Sequence, residues 1–341
     1  MKVGALTISS TVVLFFFCTL LQPTVATSNR LDGNHLHRGF YNNICPQAEN
    51  IVSKIVKKYV RRDLGIAAGL IRLHFHDCFV TGCDASILLD ETPSGEEVEK
   101  ASPANGKSLR GLEVIDEIKS KLEYKCPGIV SCADILAFAA RDAAVYAGLL
   151  SYPVAAGRRD GRSSRAIETM ILPRPSQSVD QLTELFARKG LSQDEMVVLS
   201  GAHSIGHAHC STFHTRLYGP DPLQSQDPTL DPFYALFLKF QCPVWTIPED
   251  GSLSKDKVPL DSISPTRLDN MYYVGLKEGK GLLTSDQALM NNTRTRDLVH
   301  LLAENPMLWS QKFGRAMGRL GRMDVLTGRQ GEIRRQCRRV N

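Results

Sequence analysis

Along most of the chain beyond residue 43, apolar positions recur at intervals of three and four. In residues 46–61 they fall at Ala48, Ile51, Val52, Ile55, Val56 and Tyr59, a period near 3.6 that predicts a helix with one buried face. Pro46 stands where a first helical turn tolerates it. Residues 66–79 and 112–125 are also helical in pattern, and Cys126-Pro127-Gly128 breaks the second. Residues 131–146 are so rich in Ala and larger apolar types that their helix belongs near the centre. Residues 179–189 and 192–200 predict shorter helices, the latter with Asp194 and Glu195 in its first turn. Residues 269–275, 293–305 and 307–321 are helical again. Between these lie a polar loop at 91–107, an irregular segment at 157–175 and a loop-rich region at 219–265. No internal repeat and no alternating strand–helix pattern occurs, so the expectation is a mainly α protein with long loops.

The N-terminal segment departs from this pattern. Lys2 is followed by an apolar run at 12–21 and then by Thr24-Val25-Ala26, the layout of a secretory leader cleaved near Ala26. Residues 1–26 are therefore expected to be the leader and 27–341 the folded domain; an N-terminal membrane anchor is the alternative. The run is short for a membrane span, and no later stretch reaches the length one needs. A chain of 341 residues suits one large domain or two packed lobes.

The chain has nine cysteines. Cys18 would leave with the leader. Cys45, Cys78, Cys83, Cys126, Cys132, Cys210, Cys242 and Cys337 remain, an even set that implies four bridges in a secreted chain. Spacing alone does not choose among roughly a hundred pairings; only Cys78–Cys83 is suggested by proximity. The formal charge of +5 becomes about +4 without the leader, which holds Lys2 and no acid. That balance suits anionic surroundings such as an acidic wall polysaccharide. It is too mild for nucleic acid, and no basic patch interleaved with aromatics occurs. Asn291-Asn292-Thr293 is the one N-glycosylation sequon.

Chemistry is densest in Arg72-Leu73-His74-Phe75-His76-Asp77-Cys78-Phe79-Val80-Thr81-Gly82-Cys83-Asp84-Ala85-Ser86. On a helix, Arg72 and His76 lie one turn apart on one face. A guanidinium beside an imidazole can bind a small polar molecule, move its proton and stabilise the charge that develops. Taken alone, the two would read as a structural cation and a core histidine. Asp77, Asp84 and Ser86 bring hard oxygens at the spacing of a calcium loop.

A second stretch, residues 201–210, carries His203, His207 and His209. Two histidines four apart suggest zinc, but no acidic base stands where H-E-x-x-H places one. Gly201 and Gly206 suggest instead one histidine held close to something bulky. Asp286 is either a surface carboxylate or the acceptor for the Nδ1–H of a metal-bound histidine. Asp261, Ser264 and Asp269 form another oxygen-rich cluster, a turn or a calcium loop.

Together these segments resemble the secreted plant haem peroxidases of class III, from Phe40 to Asn341. The resemblance is carried by residues 72–80, Gly111-Leu112-Glu113-Val114-Ile115-Asp116, Val130-Ser131-Cys132-Ala133-Asp134, Gly157-Arg158-Arg159-Asp160, Leu199-Ser200-Gly201-Ala202-His203 and Ser285-Asp286-Gln287. It implies an all-α fold of two helical lobes around one haem b, with two structural calcium ions and four disulfides. His203 would be the axial iron ligand and Asp286 its hydrogen-bond partner. His76 would be the acid–base on the opposite face, Arg72 the cation beside it, Asn105 its orienting partner and Phe75 a wall of the pocket. The bridges would be Cys45–Cys126, Cys78–Cys83, Cys132–Cys337 and Cys210–Cys242.

By the same resemblance, distal calcium would take Asp77, Val80, Gly82, Asp84 and Ser86, with Glu99 supporting it through water. Proximal calcium would take Ser204, Asp261, Ser264, Arg267 through its carbonyl, and Asp269. Pro173 would lie where aromatic donors dock, and Asn291 would be the glycosylated residue. The implied activity is reduction of hydrogen peroxide to water while phenolic small molecules each lose one electron. A secreted monomer of the extracellular space or cell wall is expected, with no nucleic-acid or membrane partner. The end of the chain at Asn341, without the extension of vacuolar members, supports that address. Five positions are departures from the common family pattern. Ser204 and Ser264 stand where threonine is also common and keep its hydroxyl, Ala104 stands where proline is usual, and Tyr152 stands in the place of a frequent tryptophan. Thr212 stands where some members carry an aromatic that lines the donor site.

Overall fold

A computed structural model describes Met1 and residues 36–219, 226–248, 250 and 252–341. Apart from Met1, the expected leader with Cys18 lies outside the described residues. The compact unit runs from Leu31 to Asn341, and all that follows concerns it. Among the described residues, no helix is long and apolar enough to cross a membrane.

The first four helices are α1 (Ala48–Val60), α2 (Gly65–Val80), α3 (Leu112–Lys125) and α4 (Cys132–Tyr146). The stripe expected on α1 is the buried one: Ala48, Val52, Ile55 and Val56 face inward. Ser131 caps α4 by accepting from the Asp134 N–H, and α1, α2 and α3 all pack on α4. The apolar composition of α4 thus places it at the centre, as expected.

Two short helices follow, α5 (Val179–Arg188) and α6 (Gln193–Ser200). Each opens on a reciprocal capping box, Ser178 with Gln181 and Ser192 with Glu195. Then come α7 (His214–Tyr218), α8 (Pro232–Gln241), α9 (Met271–Lys277), α10 (Thr284–Gln287), α11 (Thr293–Glu304) and α12 (Pro306–Leu320). Strands β1 (His207–His209) and β2 (Lys257–Pro259) form one antiparallel pair with His207 opposite Pro259.

The expectation of loops throughout 219–265 needs correction, because α8 lies inside that region. Its sequence, PFYALFLKFQ, is apolar on nearly every side, so no 3.6-residue period marks it. Its start is set locally: Asp231 accepts from the Tyr234 N–H at 2.8 Å, and Pro232 occupies the first turn. α8 belongs to a small second core with α7, β1 and β2, separate from the main core around α4.

Four disulfides join Cys45 to Cys126, Cys78 to Cys83, Cys132 to Cys337 and Cys210 to Cys242. Two of the polar motifs are structural. Arg158 donates to Asp134 Oδ1 at 2.7 Å, and the Tyr41 hydroxyl donates to Oδ2 at 2.7 Å. Asp160 accepts the backbone N–H groups of Ala133 and Arg334, each at 2.9 Å. These fully buried groups tie the start of α4 to the C-terminal segment. Removing one partner of such a pair typically costs about 3–5 kcal/mol.

Candidate active site

Along α2, Ala68, Gly69, Arg72, Phe75 and His76 are only partly covered, whereas Ala67, Leu70, Ile71, Leu73, His74 and Asp77 are buried. The open positions follow helical spacing, so they form one face of α2 turned to an internal cleft. The helix ends at Thr81. Gly82 then takes φ +131°, and a Cβ there would meet the Asp324 carbonyl oxygen at 2.3 Å, so glycine is required for the turn.

His76 Nδ1–H donates to Asn105 Oδ1 at 2.6 Å, a tautomer assigned from the amide oxygen it meets. Asn105 is itself buried and donates through Nδ2 to the Glu99 carbonyl at 2.8 Å. Burial first, and the Arg72 charge second, push the His76 imidazole down to about 3, so it is neutral at ordinary pH with Nε2 as its remaining basic atom. Arg72 donates to the Ser108 carbonyl at 3.0 Å and to the Ala104 carbonyl at 3.0 Å. Burial lowers it to about 10, which leaves it cationic. The Ala104 contact uses a carbonyl, which alanine supplies as proline would. Phe75 is held by Phe79 at 4.9 Å and by Phe186 of α5 at 6.2 Å.

His203 lies in the short turn Gly201–Ser204 just after α6. Its Nδ1–H donates to Asp286 Oδ1 at 2.8 Å. The same oxygen accepts from the Tyr272 hydroxyl at 3.0 Å, and Asp286 Oδ2 accepts from the Leu283 N–H at 3.2 Å. Burial opposes the imidazolium, but the charge and hydrogen bond of Asp286 outweigh it and raise His203 above its ordinary value. The ring lies deep in the protein, yet 37 % of its side-chain surface is open, which marks an internal cleft rather than the outer surface. Arg72 is near enough for its charge to act on His203. α2 and the 201–206 segment also meet directly, since a Cβ on Gly206 would come within 3.1 Å of the Ala68 Cβ.

The bulk suggested by Gly201 is protein: a Cβ there would meet Trp309 Nε1 and the Tyr273 hydroxyl at 2.6 Å. A zinc site on His203 and His207 is not formed. His207 is exposed on β1, and His209 Nδ1 is held by the Ser254 carbonyl at 2.6 Å. The arrangement fits haem. One imidazole is fixed through Nδ1 with its other nitrogen available for iron, as an axial ligand must be. A second imidazole and a guanidinium occupy the facing helix.

The oxygen clusters also fit cations. Asp77 Oδ2 accepts from the Ala85 N–H at 3.0 Å, whereas its buried Oδ1 and both Glu99 carboxylate oxygens have no hydrogen-bond partner. Burial raises Asp77, Asp84 and Glu99, the last to about 8; Asp77 is raised further by Asp84 and Glu99. Crowded, buried carboxylates of this kind call for a positive charge. Asp84 accepts from the Ser86 N–H at 3.0 Å, and Ser86 pairs with Thr81 at 3.1 Å. The Val80 carbonyl accepts from Lys189 Nζ at 2.7 Å.

On the other side, Ser264 donates to Asp261 Oδ2 at 3.0 Å and lies 2.8 Å from Asp269 Oδ1. Ser204 accepts from the Asp269 N–H at 3.2 Å, and the Arg267 N–H donates to the Ser264 carbonyl at 3.0 Å. Among the described residues, no three His, Cys, Asp or Glu side chains form a metal cage; both clusters join carboxylates to hydroxyls and carbonyls. Pro173 is partly buried, and Pro175 nearby accepts from the Ser285 N–H at 2.9 Å, tying this segment beside Asp286. Thr212 is partly covered, Tyr152 is buried and Asn291 is exposed.

Three contributors gave no sequence signal: Tyr272 on Asp286, Ser108 on Arg72 and Lys189 on Val80. Each acts over a long separation, and two of the contacts involve a backbone carbonyl.

A neutral histidine with a fixed cation, facing a carboxylate-backed histidine across a cleft in a helical fold, defines a haem peroxidase. Residues 52–305 match the family described as Peroxidase. The chain is 50% identical over 336 residues to Peroxidase 5 of Vitis vinifera, covering 98% of this chain and 97% of that protein. It is 45% identical over 327 residues to Peroxidase 1 of Zea mays, covering 95% and 86%. Over 312 residues it is 44% identical to Peroxidase 9 of Arabidopsis thaliana, covering 90% and 88%. The chain belongs to the plant class III peroxidases, haem- and calcium-binding oxidoreductases that act on hydrogen peroxide with a reducing substrate.

Proposed function

We propose that residues 27–341 form a secreted, cell-wall or extracellular haem peroxidase that oxidises phenolic donors, once the leader 1–26 is removed. The observation that carries this is the pair of deep histidines, each tied through Nδ1 and each with Nε2 left for chemistry. Haem, when bound, supplies the redox centre that peroxide oxidises and that two donors restore one electron at a time.

His203 Nε2 would hold the haem iron, and Asp286, by accepting the Nδ1–H, fixes that tautomer and makes the ring a stronger electron donor. His76 Nε2 takes a proton from hydrogen peroxide and delivers it to the departing oxygen, so the product is water rather than hydroxide. Asn105 holds the ring in place for both transfers. Arg72, anchored by two backbone carbonyls, stabilises the charge separation, and Phe75 keeps that side of the cleft dry.

Asp77, Val80, Gly82, Asp84 and Ser86, backed by Glu99, would hold one calcium ion; Ser204, Asp261, Ser264, Arg267 and Asp269 would hold another. Pro173 lines the mouth where a phenol approaches, and Asn291 carries the glycan. The purified chain is expected to show a Soret band and peroxide-dependent oxidation of simple phenols. A chain that folds but shows no phenol oxidation with haem bound would overturn the donor assignment.

A further inference from the structure

Helix α8 buries Tyr234, Ala235 and Leu238 and turns large apolar side chains outward. Phe233 is 83% exposed, Phe240 80%, and Trp245 just beyond the helix 83%; Leu236 and Phe237 are also mostly uncovered. Helical spacing puts Phe233, Leu236, Phe237 and Phe240 on one face. Together Phe233, Phe237, Phe240 and Trp245 expose roughly 600 Å² of residue surface, the upper end of what a soluble monomer usually shows in one patch.

Beside this face a cavity of about 570 Å³ opens between Phe233, Tyr234 and Phe237, rimmed by Asp231, Ser262, Glu278 and Lys280. Its size is that of a small-molecule pocket. The Tyr234 and Phe237 rings lie nearly parallel, 14° apart, with centroids 6.5 Å apart. None of these residues belongs to the cleft of His76 and His203.

The lining selects the occupant. Flat aromatic walls favour stacked rings, and the rim supplies carboxylates and a hydroxyl that can accept hydrogen bonds from phenolic O–H groups. An anionic bilayer would need available ammonium groups. Here Lys239 is held by Gln226 at 3.2 Å and lies over the Tyr218 ring, and Lys280 pairs with Glu278 at 2.6 Å. With Lys280 and Glu278 neutralising each other, Asp231 is the remaining rim charge, and its sign opposes an acidic polysaccharide.

We propose that the α8 face and its cavity form a second binding site, for phenolic oligomers, with rings stacked on Phe233, Phe237 and Phe240. This inference rests on the phenolic-donor assignment. Such oligomers arise when two phenoxyl radicals released by the enzyme couple through a new bond between them. The site therefore keeps the enzyme on the material its own products build.

The test uses the haem-loaded protein and beads carrying an oligomer made by dehydrogenating coniferyl alcohol, at high salt. Cellulose beads and neutral phosphatidylcholine vesicles are the other arms. The triple variant Phe233→Ser, Phe237→Ser, Phe240→Ser is compared with a control, Tyr124→Ser with Leu301→Ser, which removes exposed apolar side chains elsewhere. Wild type and control are expected to stay on the phenolic beads and the triple variant to bind about tenfold more weakly. All three should oxidise a small phenol equally.

Trp245 gives a second readout. The chain has two tryptophans and Trp309 is 1% exposed, so a blue shift on adding soluble oligomer would report Trp245 becoming covered. Equal retention of wild type and triple variant would overturn the proposal. So would equal binding to cellulose or vesicles. A dimer in the wild type that the triple variant loses, with bead binding unchanged, would assign the face to a second copy. Failure of the wild type to oxidise small phenols would instead break the donor assignment, which the beads do not measure.

Discussion

His76 and His203 are the same side chain placed at similar depth, each using Nδ1 as a donor over less than 3 Å. Their partners differ by one charge. His76 meets the neutral amide of Asn105 and stands beside Arg72, so burial prevails and the ring falls to about 3. His203 meets the carboxylate of Asp286, which overcomes burial and raises it. The difference teaches that the neighbour, not the histidine, sets the chemistry. One ring is a neutral acid–base able to take up and return a proton. The other is the electron-rich ring that the proposed function uses as a ligand.

The comparison breaks most completely at the ligand. His203→Ala is expected to abolish haem retention, seen as loss of the Soret band on reconstitution, with helical content kept. A variant that still binds haem at full occupancy would remove His203 from its place. Next comes the cation. Arg72→Leu is expected to slow the peroxide step about 10²–10³-fold, the usual effect of losing one preorganised donor. Stopped-flow mixing with hydrogen peroxide measures it.

Asp286→Asn then makes the two sides alike, giving each histidine an amide partner. A loss of about 10–100-fold in the peroxide step is expected, with a more positive iron reduction potential. An unchanged potential would show that the carboxylate does not tune the ligand. The smallest effect is calcium removal on the His76 side. Glu99 holds Asn105 through its carbonyl, Asn105 holds His76, and Asp77 follows His76 directly. Loosening one such hydrogen bond costs about 1 kcal/mol, so chelation should slow the peroxide step severalfold before circular dichroism reports unfolding. Calcium should restore it.

Much of this was legible in the sequence because it is local. The α1 stripe, the Ala-rich α4, and the pairing of Arg72 with His76 at one turn all follow from helical period. The link between His203 and Asp286 spans 83 positions and has no spacing signature; only the resemblance to a family pointed to it. Tyr272 and Ser108 were invisible for the same reason, since each completes a contact made by tertiary packing. The failure at α8 has a different cause. A helix that is apolar on its inner and outer faces alike has no periodic contrast to detect. The outward rings that erased the pattern are the ones that make its surface unusual.

The central claim is that His76 moves the peroxide proton while His203 holds the haem. The most direct measurement is the stopped-flow rate of the haem-loaded His76→Ala variant with hydrogen peroxide, against wild type. The account predicts an intact Soret band and a rate lower by about 10²–10⁴-fold. A rate close to that of wild type, with haem fully bound, would contradict it.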